Sequence, residues 1–281
     1  MNRRPHLNLG TARRISVLIV AFGVSVIGFG WPFVVAADSS LAGDALAPFV
    51  VGALLAVVVV LVVAELSDGG MDARSVAMLG LLAGLGIGLR VLGPATAGIE
   101  PTFVLVILAA RVFGPGFGFT FGSVLITASA VLTAGVGPWL PFQMLATGWL
   151  GLAVGLLPRA GAGGRAEARM LALLSIPLAI GYGAVLNLSF WPLSTVLAPG
   201  ISYVAGDHPA ANLGRYTVFY VTTSLGWDLA RGVFSVLILL LAGRPLLATL
   251  RRAARKARFT DVGQTSVAQT SVSTKGGLTT S

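Results

Sequence analysis

Eight apolar segments, separated by loops that carry most of the arginines, constrain this chain more than any other feature. They run over roughly 15–37, 46–65, 75–92, 101–113, 116–134, 140–157, 169–191 and 214–243. At 1.5 Å per residue, about 20 apolar residues cross the roughly 30 Å hydrocarbon core of a bilayer. Charged residues make up only 10% of the chain, against about 25% in soluble domains. Together these observations predict an all-α integral membrane protein.

The segments are unequal. The fourth, 101–113, is too short to cross alone and is expected to lie shielded inside the bundle. The eighth is long enough to tilt or to project from the bilayer, and its continuation RPLLATLRRAARKARF reads as a basic interfacial helix. Arginines 3, 4, 13, 14, 74, 111, 159, 165 and 169 and the cluster from Arg244 to Arg258 fall on one side. The alternate loops hold Asp38, Asp44, Glu100, Asp207 and the single loop arginine Arg215. The positive-inside rule then places both termini in the cytoplasm of a multi-pass cell-membrane protein. Small residues near Val34–Ala36 raise the question of a cleaved signal peptide, but the length of the first apolar run favours retention. Residues 1–14 form a basic cytoplasmic N-terminus. Residues 259–281, rich in Ser, Thr, Gly and Gln with QTSV occurring twice, are expected to form a disordered tail.

Several function classes are disfavoured. There is no cysteine, and the two histidines, His6 and His208, lie outside the apolar segments. This argues against thiolate or histidine-rich metal sites. The net charge of +9 is spread over loops between spans, so nucleic acid is not an expected partner; anionic lipid headgroups near the C-terminal basic segment are. No GxxxxGK[ST] occurs, and the lysines are Lys256 and Lys275 alone. Any ATP-driven activity would borrow its ATPase from a partner. Without HExxH, GxSxG or a Ser/His/Asp arrangement in the spans, no enzyme is expected.

Four constellations stand out. Gly80, Gly84 and Gly88, with Ala77 nearby, put a groove of small residues along one helix face, for packing within the chain or against another protein. In GIEPT, Glu100 precedes a helix-starting proline; it either favours the helix macrodipole or points into an outward-facing pocket. GPWLPFQM, with Trp139, Phe142 and Gln143, and the segment holding Asn187 and Trp191 converge on the extracytoplasmic side. Aromatic walls with a few polar groups are the usual form of a small-molecule site, although Trp139 alone reads equally as an interfacial anchor. Asp228 and Arg231 are three apart and can pair on one helix face as a structural ion pair.

From about Arg74 to Arg255 the chain resembles the substrate-binding S component of energy-coupling factor (ECF) transporters, which take up vitamins. The resemblance rests on AGIEPTFVLVILAARVFGPGFGF, GVGPWLPFQMLATGWLGLAVGLLP, YGAVLNLSFWP and SLGWDLARGVFSVLILLLAGRPLLATLRR. The GPWxPFQM-type segment looks like the branch associated with cobalamin. The resemblance implies a six-helix bundle over 74–258, preceded by two additional spans in 15–65. It also implies an S component that binds a vitamin outside, docks on a membrane scaffold (the T component) bearing two ATPases, and topples to release inward. Glu100, Thr102, Trp139, Phe142, Gln143, Asn187 and Trp191 are the implied substrate-binding residues; Ala77, Gly80, Gly84 and Gly88 the implied docking face. No covalently bound cofactor is implied, and ATP acts only through the partners. Alternatives are an S component for riboflavin or another vitamin, a secondary transporter using Asp228 or Glu100, an intramembrane enzyme, or a structural assembly factor.

Overall fold

The computed structural model describes residues 9–34, 47–67, 73–91, 99–158, 164–194 and 197–275. Its helices are α1 (Leu9–Gly30), α2 (Ala47–Ser67), α3 (Ala73–Val91), α4 (Pro101–Phe113), α5 (Pro115–Leu132), α6 (Leu140–Leu156), α7 (Arg165–Phe190), α8 (Pro209–Thr223) and α9 (Leu225–Lys275). Short 3-10 turns follow α1 at Trp31–Phe33 and α7 at Trp191–Leu193. Five helices are long and apolar enough to cross a membrane, within Ile15–Phe33, Ala73–Arg90, Pro115–Leu132, Arg165–Leu193 and Leu225–Arg255. Gly52–Ala64, α4 and α6 are shorter apolar helices. The basic residues before Leu9, most of the small-residue stretch at Val34–Ala36, and the loop with Asp38 and Asp44 lie outside the described residues.

Helix α4 is the axis of the bundle. Every residue from Thr102 to Arg111 is buried, so a helix too short to span is enclosed by longer neighbours. Its end is abrupt. Gly114, at φ +95°, separates it from the Pro115 that starts α5, and a left-handed φ of that kind suits glycine. Helices α5 and α6 then meet backbone to backbone. A Cβ on Gly151 would lie 2.2 Å from the carbonyl oxygen of Gly118, and one on Gly122 would lie 2.6 Å from that of Thr147. Small residues at a crossing give this close approach, which compensates for the weak hydrophobic drive between helices in lipid.

Helix α9 runs antiparallel to α7. Asp228 lies beside Gly183, Gly232 packs on Ile176, and Gly243 packs on Ala168. One expectation fails here. The apolar segment 214–243 is not one helix but two, α8 and α9, broken at Ser224 (φ −128°, ψ −31°). The break lets Tyr216 and Tyr220 of α8 turn onto α7, where the Tyr216 hydroxyl donates to the carbonyl of Ala184 and the Tyr220 oxygen lies 3.1 Å from that of Ile180. Helix α9 also continues through Lys275, over most of the stretch that the sequence reads as a tail with no core to bury. Residues 276–281 lie outside the described residues.

The two additional helices pack on the α5–α6 side. Leu55, Val59 and Val62 of α2 and Ala21 and Phe29 of α1 share a buried cluster with Phe119, Phe142 and Leu145. Phe29 meets Phe142 edge-on at 5.2 Å.

Candidate functional site

The Trp191 end of the bundle holds a cavity of about 470 Å³ between α6 and α7, lined by Trp139, Gln143, Leu186, Asn187, Ser189, Phe190 and Leu193. Trp139 is half-exposed, and its ring nitrogen donates to the carbonyl of Gly135 at 3.1 Å. Gln143 lies one turn into α6, with an amide that makes no hydrogen bond among the described residues. Asn187 is more committed. Its Nδ2 donates to the carbonyl of Gly183 at 2.8 Å, and its Oδ1 accepts from the Ser224 hydroxyl at 2.9 Å. Trp139, Gln143 and Asn187 are therefore brought together, with Gln143 as the free donor and acceptor.

The other expected site residues are elsewhere. Glu100 does not face this cavity; its Oε2 accepts from Arg231 Nε at 2.5 Å. Thr102 is buried on α4, 3.5 Å from the carbonyl of Gly86. Phe142 is packed in the cluster beneath α1 and α2. Trp191 is fully buried, donating to the carbonyl of Ile201 at 2.7 Å and packing edge-on against Tyr203 and Tyr216. A tryptophan whose ring and N–H are both used inside the protein supports the cap over the bundle rather than a ligand. The neighbouring loop is tied by Asp207 and Arg215 at 2.5 Å; the hydrogen bond from that guanidinium holds the Asp207 carboxyl below its ordinary range.

A charged triad lies beneath the cap. Arg231 of α9 reaches Glu100 at the start of α4 and Asp228 one turn back on its own helix. The Tyr220 hydroxyl donates to Asp228 Oδ2 at 2.9 Å. The guanidinium carbon also sits 5.3 Å from the centre of the Tyr182 ring and 5.9 Å from that of Phe103. Gly183 makes the space, since a Cβ there would lie 1.7 Å from Asp228 Oδ2. The triad connects to the cavity through α7, because Asn187 bonds both Gly183 and Ser224.

The opposite end carries a cluster with less sequence signal. Glu167 accepts from Arg111 Nε at 2.6 Å and from Arg251 Nη2 at 2.6 Å and 2.7 Å. Arg111 also donates to the carbonyls of Leu157 and Pro158 at 2.7 and 2.9 Å. Arg111 and Arg251 look like ordinary positive-inside residues in the sequence. The overlooked sign was a lone arginine inside a helix otherwise wholly apolar after its first two residues.

The small-residue groove points outward. Cβ atoms on Gly80, Gly84 or Gly88 would meet nothing within 4 Å, and Ala77, Leu81 and Leu85 beside them are exposed. The bundle side of α3 is formed instead by Leu79, Leu82, Ala83 and Gly86; a Cβ on Gly86 would lie 2.6 Å from Leu125 Cδ1. Internal packing among the described residues therefore leaves Gly80, Gly84 and Gly88 unused. Among the described residues, no three His, Asp or Glu side chains gather as a metal site. No protein-family model, curated protein or solved structure matches the chain.

Proposed function

We propose that this protein is a membrane-embedded small-molecule binding subunit, of the kind an ECF-type importer uses as its S component. The observation that carries the reading is the cavity at the Trp191 end, where Trp139, the unpaired Gln143 amide and Asn187 gather. Pockets that are mostly apolar, with a few convergent polar groups, suit small organic ligands. In this reading α3 to α9 form the S-component-like bundle and α1 and α2 are additions to it. The Trp191 end faces outward and the arginine-rich end faces the cytoplasm. The ligand is a vitamin, with cobalamin ahead of riboflavin by resemblance of the GPWLPFQM segment. Transport energy comes from a partner scaffold with two ATPases.

The test is to identify the compound that copurifies in mild detergent, then titrate it, cobalamin and riboflavin against single variants. Gln143→Ala should lose about 0.5–1.5 kcal/mol of binding, a few-fold to about tenfold in Kd. Trp139→Ala should weaken binding further through lost apolar contact. Unchanged affinity in both variants would place the site elsewhere.

In the same reading, the exposed Gly80, Gly84 and Gly88 stripe is the face on which the scaffold docks. Gly84→Leu fills that face without touching the bundle, as its added carbons point into open space. Ligand affinity of the purified variant should stay at the wild-type value while recovery of ATPase partners from native membranes falls. Full partner recovery with a folded variant would remove this assignment. The carboxylates around Arg231 favour one second reading, an ion-coupled carrier; uptake that collapses with uncouplers and needs no ATPase partner would select it.

A further inference from the structure

A second cavity, of about 490 Å³, opens sideways between α1, α6 and α7. Its walls include Phe22 and Val26 of α1, Ala153 of α6, and Pro177, Gly181 and Val185 of α7. Those six are all exposed, so they form the mouth, and it faces away from the bundle. All three wall helices are apolar, and the α1 and α7 walls lie within segments long enough to span a membrane. The mouth therefore meets hydrocarbon.

The polar atoms of the lining are already used within the protein. Ser25 Oγ accepts from Trp149 Nε1 at 3.1 Å and donates to the carbonyl of Ala21 at 2.7 Å. The Tyr182 hydroxyl is 3.2 Å from Thr147 Oγ1. Water needs two to four polar partners to occupy such a space, and this lining offers few. The volume is about three times that of an engineered apolar cavity of about 150 Å³ that admits benzene. The shape is elongated: the wall residues span Phe22 to Gly30 on α1 and Pro177 to Leu188 on α7, roughly 12–16 Å along the helix axes at 1.5 Å per residue. A slot parallel to the helices, open to hydrocarbon and without unused polar groups, matches a flexible hydrocarbon chain.

We propose that this cavity is a lipid site, which holds one hydrocarbon chain of a membrane lipid in the leaflet on the Trp191 side. Helix α1 makes the site by walling off what would otherwise be a groove between α6 and α7. The additional N-terminal helix thus has a definite role, one that does not depend on the ligand of the Trp139 cavity.

The test uses the full chain in phosphatidylcholine vesicles doped with a phosphatidylcholine carrying a diazirine in one acyl chain. After illumination, cross-links should concentrate on peptides containing Phe22–Val26, Ala153 and Gly181–Val185. Gly181→Phe projects a ring into the slot from a position whose Cβ direction is open and should cut those cross-links several-fold. Ala153→Phe does the same from α6, should Gly181→Phe fail to fold. Leu241→Phe, at an exposed position of α9, a helix that does not line the slot, should leave the pattern unchanged. Cross-links spread evenly over exposed faces, and indifferent to both slot variants, would overturn the proposal. So would efficient disulfide formation between cysteines placed at Val26 and Val185, since that would mean α1 closes onto α7 and leaves no slot.

Discussion

Leucine in place of Arg231 is expected to destabilise the protein by about 3–5 kcal/mol, the usual cost of removing one partner from a buried ion pair. The reason is what remains. Glu100 and Asp228 would be left facing each other in an apolar setting, with the Tyr220 hydroxyl as the donor remaining to Asp228. Arg231→Lys should recover little, because an ammonium is a point charge and cannot fork toward two carboxylates as the guanidinium does here. The triple variant Glu100→Gln, Asp228→Asn, Arg231→Leu should recover much of the loss, since it strands no charge. Thermal unfolding in one detergent, followed by a spectroscopic midpoint, compares the variants. If Arg231→Leu melts with the wild type, the triad is not holding α4 to α9. If the triple variant is no better than the single one, stranded charge is not the cause.

The same triad shows why part of the site escaped the sequence. Asp228 and Arg231 are three residues apart on one helix, so local spacing was enough to predict their pairing. Glu100 is 131 positions from Arg231, and no periodicity connects them. Its place before Pro101 fits a loop carboxylate equally well. Trp191 misled for a related reason: an aromatic at a span end reads as a pocket wall or an interfacial anchor, and only the loop carbonyl of Ile201 reveals it as a buried cap. The short fourth helix was legible because length alone decides whether a helix can cross. The break at Ser224 does have a sequence sign, the polar run Thr222-Thr223-Ser224 with Gly226 just after it, but so short an interruption inside a long apolar segment reads as one continuous span. Gln143 and Asn187 stand out in the sequence because an amide in an apolar segment is expensive unless something uses it, and the structure brings both to one cavity.

Glu167→Leu is the second large effect, at the other end of the bundle. This carboxylate is 2% exposed and receives two guanidinium groups, from Arg111 on α4 and Arg251 on α9. Without it Arg111, itself 4% exposed, keeps its bonds to the carbonyls of Leu157 and Pro158 but loses its counter-charge. A loss of about 3–5 kcal/mol follows from stranding that charge. Glu167→Gln should be milder, because the amide oxygen still accepts a hydrogen bond although the counter-charge is gone. Removing Arg251 should cost less than removing Arg111, as its side chain is 28% exposed and solvent screens what it loses. The predicted order of thermal midpoints is therefore wild type, Arg251→Ala, then Arg111→Ala and Glu167→Leu together at the bottom. A functional consequence goes with the order. These bonds fasten the ends of α4 and α7, the middle of α9 and the segment after α6, so that end of the bundle should move as one body. Cysteine pairs across α4 and α9 in this cysteine-free chain should cross-link at one fixed spacing in the wild type and over a broader range in Glu167→Leu. Equal spread in both would leave the cluster with no role in rigidity, whatever its effect on melting.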